Sequence, residues 1–417
     1  MSPSNFVTSS AGKCNKTMEG YYAFYPNKLP PVVGTDWSLT ALLSEADRAM
    51  AELSGAGRLL PNPHLLIQPY LRREAIFSAR IENTITDMEQ LALFEIQPSS
   101  RPKTGDVREV MNHLRALQTG LDKVSGLNNA EQIPISSRLI CELHGILLRA
   151  VRGGEIVKTP GEFRRSQNWI GPPGATLNEA TFVPPPPSEL PRLLGEWENY
   201  LHERTDEPEL VKCAWLHYQF EAIHPFQDGN GRIGRLLITL YLCSRQCLSQ
   251  PLLYLSGFFD DTRDDYYRLL LDVSQKGNWR EWLEYFLRGV RRQAQLALID
   301  TKDILGLYQK YRESLKESTR APGLAAKVLD HVFANPYISI SYFSQLSNES
   351  YPNVSKAVRF WCNKGLLHEA TGRRRNRFFA ARELIAIMSR PVATPPQQAT
   401  NLAAEPPNNA SISNPTP

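Results

Sequence analysis

Apolar residues recur at helical spacing through most of the chain's first half. In "DWSLTALLSEADRAMAEL", Leu39, Leu42, Leu43, Ala46 and Met50 share one stripe, and Ser38 is placed to cap its start. "PYLRREAIFSARIE" predicts a second helix, closed by Asn83, a residue that tolerates the left-handed cap position. "DVREVMNHLRALQTGL" and "SSRLICELHGILLRAV" are two more amphipathic stretches. The pattern breaks at 153–187, where Gly and Pro dominate and "RRSQNWI" and "EATFVPP" predict a short hairpin around "GPPG".

Helical periodicity returns with "SELPRLLGEWENYL" and "PELVKCAWLHYQFEA", then "RLLITLYLCSRQ", "DDYYRLLLDVSQ" and the long "NWREWLEYFLRGVRRQAQLALIDTKDILGLYQKYRESL". From 321 to 390 the reading is three short helices, then two strands, "LLHEA" and "RRRNRFFAA", around a "TG" turn. That order predicts a winged helix-turn-helix. The expected division is a flexible 1–28, a helical region at 29–110, a core at 111–300, a linker helix at 301–320, the winged-helix unit at 321–390 and a disordered 391–417.

Composition narrows the class. The 417 residues, 42% hydrophobic and 22% charged, fit a globular protein of two or three units. Net charge is only +4, which excludes a wholly polyanion-binding protein, but 321–390 holds 10 Lys/Arg against 4 Asp/Glu. Arg373, Arg374, Arg375 and Arg377 fall in the expected wing, and Lys356, Arg359, Asn363 and Lys364 on the exposed side of the expected recognition helix. DNA phosphates and a docked protein partner both suit such a surface. Six scattered cysteines without a CxxC pair read as free thiols of a reducing compartment. The first 20 residues lack the apolar core of a secretory signal, and no apolar run is long enough for a bilayer, so the expectation is a cytoplasmic protein with no membrane partner.

The chemistry concentrates in "EAIHPFQDGNGRIGR", residues 221–235. Two glycines around an asparagine let backbone approach a ligand closely, and an apolar helix starts directly after them. Free N–H groups at a helix start form an anion site. Arg232 and Arg235, three residues apart, add guanidiniums suited to a polyphosphate. Asp228 beside phosphates points to Mg²⁺, and His224 to a general base with a pKa near neutrality. Taken singly, His224 reads first as a satisfied buried histidine and "DGNG" as an ordinary turn or helix start. Together they are a kit for in-line attack by a hydroxyl on a nucleotide phosphate. A P-loop is excluded, since no Lys-Ser/Thr follows the glycines.

"HPFQDGNGRIGR" resembles the signature of Fic-domain proteins, HxFx[DE]GNGRxxR, at every fixed position from His224 to Arg235. The resemblance implies a mainly α Fic-fold helical bundle with a short β-hairpin flap. It also implies transfer of AMP from ATP, with Mg²⁺, to a hydroxyl of a target protein. By the same resemblance His224 is the base, Phe226 anchors the loop, Asp228 holds Mg²⁺, Gly229, Asn230 and Gly231 form the anion hole, and Arg232 and Arg235 hold the outer phosphates.

"SARIEN", Ser78 to Asn83, is similar to the family's inhibitory motif, [ST]xxxE[GN]. By spacing alone Glu82 is a solvated helix residue. By resemblance it pairs with Arg235 and takes the place of the γ-phosphate's counter-charge. Residues 162–184 resemble the family's flap, on which target backbone is aligned. One departure is Asp261, with Phe259 nearby, where relatives commonly carry His or Asn and Tyr; this stretch usually borders the nucleotide base. The resemblance leaves open another nucleotide donor, removal of AMP, self-modification, homodimerisation, and a DNA-binding regulator whose core senses nucleotide.

Overall fold

The computed structural model describes residues 1–60, 63, 67–96, 106–125, 132–151, 159–317, 322–372 and 377–390. Its architecture is mainly helical, with two small antiparallel sheets. The helices before residue 315 are α1 (Trp37–Arg58), α2 (Gln68–Ile81), α3 (Met88–Ile96), α4 (Asp106–Ser125), α5 (Ser137–Leu147), α6 (Leu190–His202), α7 (Glu209–Ile223), α8 (Asn230–Ser244), α9 (Ser256–Asp261), α10 (Arg263–Lys276) and α11 (Trp279–Ser314). No described helix is long and apolar enough to cross a membrane.

The periodic stretches form the expected helices because each has a stripe to bury. α1 lies along α11, α4 pairs with α5, and α7 and α8 pack together with α8 resting on α4. α2 differs, being buried on nearly every side, Arg72, Arg73, Glu74 and Ser78 included. A helix buried all round is central rather than surface-lying. Its polar side chains must therefore find partners inside the protein.

Several expectations change in detail. The cap of α1 is Asp36, whose Oδ1 accepts the Leu39 N–H at 2.9 Å, and not Ser38, which is already inside the helix. Residues 1–28 are not loose. A short 3-10 turn at Pro3–Phe6 is followed by a hairpin of β1 (Gly12–Lys16) and β2 (Tyr22–Pro26), with Gly12 opposite Pro26. The "YYAFYP" aromatics explain this: Phe24 is fully buried, with Phe6 and Phe182 rings 5.6 and 5.5 Å away. The Phe24 N–H also bonds to Val183 O at 2.9 Å, so the hairpin backs the end of the expected flap.

That flap is less regular than expected. One antiparallel bridge, Ile170 to Phe182, replaces a two-stranded ladder. Pro172, Pro173 and the Pro184–Pro187 run have no N–H to extend it. The boundary expected at residue 300 falls inside α11, an unbroken 36-residue helix.

Beyond it, α12 (Pro322–Ala334), β3 (Tyr337–Ser339), α13 (Ile340–Ser347), α14 (Tyr351–Asn363), β4 (His368–Glu369), β5 (Phe378–Ala380) and α15 (Arg382–Met388) follow. The sheet has three strands, one more than expected, in the order β3-β5-β4. Trp361 is fully buried within this unit, its indole N–H bonded to Ala325 O at 2.8 Å. Arg373, Arg374 and Arg375 of the expected wing, and the 391–417 tail, lie outside the described residues.

Candidate functional site

α7 ends where its sequence requires. Pro225 has no N–H and disfavours helical backbone in the residue before it. His224 accordingly leaves the helix in the left-handed region, φ 50°, after a last bond from its N–H to Phe220 O at 3.0 Å. Such backbone in a non-glycine residue costs on the order of 1–2 kcal/mol. It aims the imidazole into a cavity of about 650 Å³. The Nδ1 atom faces Glu221 O at 3.2 Å, so the proton sits there and Nε2 keeps its lone pair. Burial first of all lowers the imidazole pKa to about 4, so the ring is neutral at pH 7.

The loop between α7 and α8 is fixed from several sides. Phe226 is fully buried and stacks on His144, ring centroids 3.7 Å apart. Its N–H donates to Asn230 Oδ1, and its carbonyl accepts from Asn230 Nδ2 and Asn168 Nδ2, each at 2.8 Å. His144 takes a bond from the Gly161 N–H at Nδ1, 2.9 Å, so Nε2 carries the proton and donates to Asp228 O at 2.9 Å. Arg164, buried in the segment before the bridge, donates from Nε to His224 O at 2.9 Å and from Nη2 to the carbonyls of Pro185 and Ile223. It ties flap, helix end and loop into one body.

α8 begins at once from Gly229, whose φ of 80° favours glycine. The Gly229 N–H is taken by Asp228 Oδ1 at 2.7 Å, and no side chain caps the helix. The N–H groups of its first turn, at Asn230, Gly231 and Arg232, are thus left for an anion. Asn230 contributes there through its backbone, because its side chain is committed to Phe226.

Arg235 lies one turn along α8, only 1% exposed. It donates from Nε to Ser78 Oγ at 2.9 Å, and from Nη2 to Ser78 O at 2.9 Å and Glu82 Oε1 at 2.8 Å. Burial would raise the Glu82 carboxyl pKa, but Arg235 beside it, then Arg232, holds it below the usual range. Burial opposes the Arg235 charge, and Glu82 more than restores it. Glu82 is the C-cap of α2. Asn83 follows at φ 60°, and the Thr84 N–H reaches back to Ala79 O at 3.0 Å. This left-handed turn is the C-terminal stop expected from Asn83.

A carboxylate at a helix C-terminus is disfavoured by that helix's dipole. Glu82 escapes the penalty by lying over the start of α8: a Cβ added to Gly231 would collide with Glu82 Oε1 and stand 2.8 Å from Arg235 Nη1.

Not every expected residue faces the cavity. Arg232 is buried and turns to Glu109, Nη1 to Oε2 3.3 Å, with Asp228 Oδ1 at 3.7 Å. It does not line the cavity, whereas Asp228, Gly229, Asn230, Gly231 and Arg235 do. Asp228 shares the wall with two other carboxylates, Glu82, which is paired with Arg235, and Glu221. Among the described residues no group of three or more His, Cys, Asp or Glu forms a cage for a metal. One hard oxygen ligand suits an ion such as Mg²⁺ that takes its other ligands from substrate phosphates and water.

Asp261 bonds to Arg292 at 2.8 Å, and Phe259 is fully buried against Tyr266, 4.6 Å between rings. Neither borders the cavity; Arg263, Tyr266 and Tyr267 of α10 do. Arg263 Nη1 donates to Asn83 Oδ1 at 2.9 Å, joining α10 to the end of α2.

Glu221 was passed over in the sequence. It lines the cavity, its Oε1 is buried without a hydrogen-bond partner, and burial raises its pKa to about 7 despite Arg235. Its place beside the motif was the available signal. His144, Arg164 and Asn168 gave none, since their partners at the end of α7 and in the loop after it lie 58 to 84 residues away.

A half-buried neutral imidazole, an uncapped helix start and a buried arginine lie around one cavity, an arrangement with the chemistry to receive an anion. Residues 134–242 match the Fic/DOC family and residues 40–122 the Fic/DOC family N-terminal region. The chain therefore carries a Fic/DOC domain at 134–242, preceded by the N-terminal region of that family at 40–122. It is 29% identical over 245 residues to the protein adenylyltransferase Fic of Drosophila yakuba, which spans 56% of this chain and 44% of the relative. For the Drosophila grimshawi protein of the same name the figures are 30% over 190 residues, 44% and 35%. The chain thus spans less than half the length of these relatives. The crystal structure of a Fic family protein from Desulfovibrio desulfuricans G20 superposes with a TM-score of 0.51 at 20% identity, covering 85% of this chain and 98% of that one, a likeness of fold.

Proposed function

We propose that this chain is a protein adenylyltransferase, moving AMP from ATP to a hydroxyl side chain and held back by Glu82. The observation that carries the reading is that His224, with Nδ1 bonded to Glu221 O, lines the same cavity as the first turn of α8 and Arg235. The target hydroxyl gives its proton to His224 Nε2 while its oxygen attacks the α-phosphorus. The bond from that phosphorus to the bridging oxygen breaks, and pyrophosphate leaves with the electron pair. The free N–H groups of α8 and Arg235 stabilise the negative charge on the leaving phosphates. The phosphates' own charge raises the His224 pKa from its low resting value toward that of an effective base. Asp228 would supply a protein ligand to Mg²⁺, which would neutralise phosphate charge.

Glu82 opposes this reaction because its carboxylate occupies Arg235 and the approach to Gly231. Trp169 and Ile170, each 42% exposed, present an apolar edge of the 162–184 segment at the mouth of the cavity for an extended target peptide. The fold of 322–390 is read as a winged helix. The exposed Lys356 and Arg359 of α14 keep a nucleic-acid-binding regulator as the second reading.

With α-labelled ATP, Glu82→Gly should raise incorporation by tenfold or more on the scale of one lost ion pair, about 1.4 kcal/mol per decade, and His224→Ala should abolish it. Equal labelling by wild type and both variants would refute the enzyme. A panel of UTP, GTP and CDP-linked donors with Glu82→Gly tests the nucleotide. Selection of a specific duplex from random DNA would favour the regulator.

A further inference from the structure

The inhibitory helix is held at both ends, by different parts of the chain. At its C-terminal end, Ser78 and Glu82 bond Arg235. Toward its N-terminal end, two buried arginines reach the C-terminal unit. Arg72 Nη1 donates to Ala334 O, and its Nη2 pairs with Glu95 Oε2 at 2.8 Å. The same Glu95 oxygen accepts Asn335 Nδ2 at 2.7 Å. Around this bond α3 places Ala92 and Ile96 in one apolar cluster with Tyr337, Phe378 and Ala380 of the C-terminal sheet.

Arg73 makes the second grip. It pairs with Asp300 at 2.5 Å and donates to Arg390 O at 3.1 Å, while Arg390 returns to Asp300 at 3.3 Å and Asp303 at 2.6 Å. Arg72 and Arg73 are 5% and 4% exposed, so neither charge has water as an alternative partner. The next residue, Glu74, bonds Ser256 inside the helical bundle. The pose of α2 in which Glu82 covers Arg235 is thus the pose that satisfies grips on both units. Ten residues separate Arg72 from Glu82, about 15 Å of helix. A hydrogen-bonded rod of that length passes a shift at one end to the other.

We propose that the C-terminal unit controls the inhibitory contact: through Arg72, Glu95 and Asn335, and through Arg73 and Arg390, it fixes α2 so that Glu82 stays on Arg235. Arg72 and Arg73 are positioning residues, remote from the reacting atoms. The proposal rests on the adenylyltransferase reading for its activity readout only.

The test uses the full chain with Arg72→Met, which keeps the side-chain bulk, and Asn335→Ala, which leaves α2 itself unaltered. Incorporation of label from α-labelled ATP is measured in the wild-type and Glu82→Gly backgrounds. Hydrogen exchange is followed in peptides covering 76–84. The expected result is at least a threefold rise in labelling by either variant in the wild-type background, none on top of Glu82→Gly, and faster exchange at 76–84. A purely structural role would lower labelling in both backgrounds. Either that loss, or unchanged labelling with unchanged exchange, overturns the proposal. If Arg72→Met does not fold, Asn335→Ala decides alone. If Glu82→Gly itself gives no labelling, the adenylyltransferase reading has failed, and the exchange at 76–84 still decides the grip.

Discussion

Replacing Asn230 by alanine separates two roles that its motif position confounds, ligand to an anion and clamp of its own loop. In the structure its side chain is spent on Phe226, accepting the N–H and donating to the carbonyl, both at 2.8 Å. Loss of the side chain leaves the Phe226 carbonyl with Asn168 but strips the buried N–H of a partner. An orphaned buried donor costs about 1–3 kcal/mol, roughly a 5- to 150-fold shift in the opening equilibrium of the loop. Asn168→Ala is the matched control. Asn168 Oδ1 already lacks a partner, and the Phe226 carbonyl would keep Asn230, so its removal orphans nothing new. Hydrogen exchange of peptides covering 221–229 should therefore accelerate much more in Asn230→Ala than in Asn168→Ala. Label transfer in the Glu82→Gly background should fall in parallel. Equal exchange in the two variants, or a larger effect from Asn168→Ala, would refute the clamp.

Two further outcomes follow from buried polar groups. His113, His144, His217, His224 and His331 have pKa values lowered by burial to about 3, 4, 3, 4 and 4. Between about pH 6.5 and 4 the unfolded chain binds more protons at these groups, so stability falls as pH drops through that window. Glu74 and Glu221, each raised by burial to about 7, act with the opposite sign between about 4.5 and 7 and offset part of the slope. Thermal melts should show a lower midpoint at pH 5 than at pH 7.5; an equal or higher one contradicts the burial of neutral histidines. Arg164→Met should release the carbonyls of His224, Ile223 and Pro185 at once, at a cost of about 2–4 kcal/mol from several charge-assisted bonds. Modification of a target should fall more than nucleotide binding, as measured by labelling against equilibrium binding of ATP; the reverse order would remove Arg164 from target alignment.

What could be read from the sequence was what local geometry decides. The helical stripes, the left-handed turn at Asn83 and the shared face of Ser78 and Glu82 depend on residues within one or two turns. The rest depends on distant partners. Nothing in "DGNGR" says that Arg232 will turn to Glu109, 123 residues away, rather than to the cavity. The N-terminal hairpin escaped notice because its strands are short, and Phe24 is buried by Phe182 rather than by a neighbour in sequence. The hairpin expected around "GPPG" shrank to one bridge because proline supplies the turn but withholds the ladder's donors. For Glu221, only packing shows that its carboxyl is enclosed.

Arg235 is almost wholly enclosed by protein, and a buried guanidinium left without its counter-charge costs about 3–5 kcal/mol. The chain must nevertheless assemble before any nucleotide reaches it. Glu82 resolves that difficulty by being an anion the chain brings with it. On the adenylyltransferase reading, the carboxylate that keeps phosphate out is also the template against which its site folds.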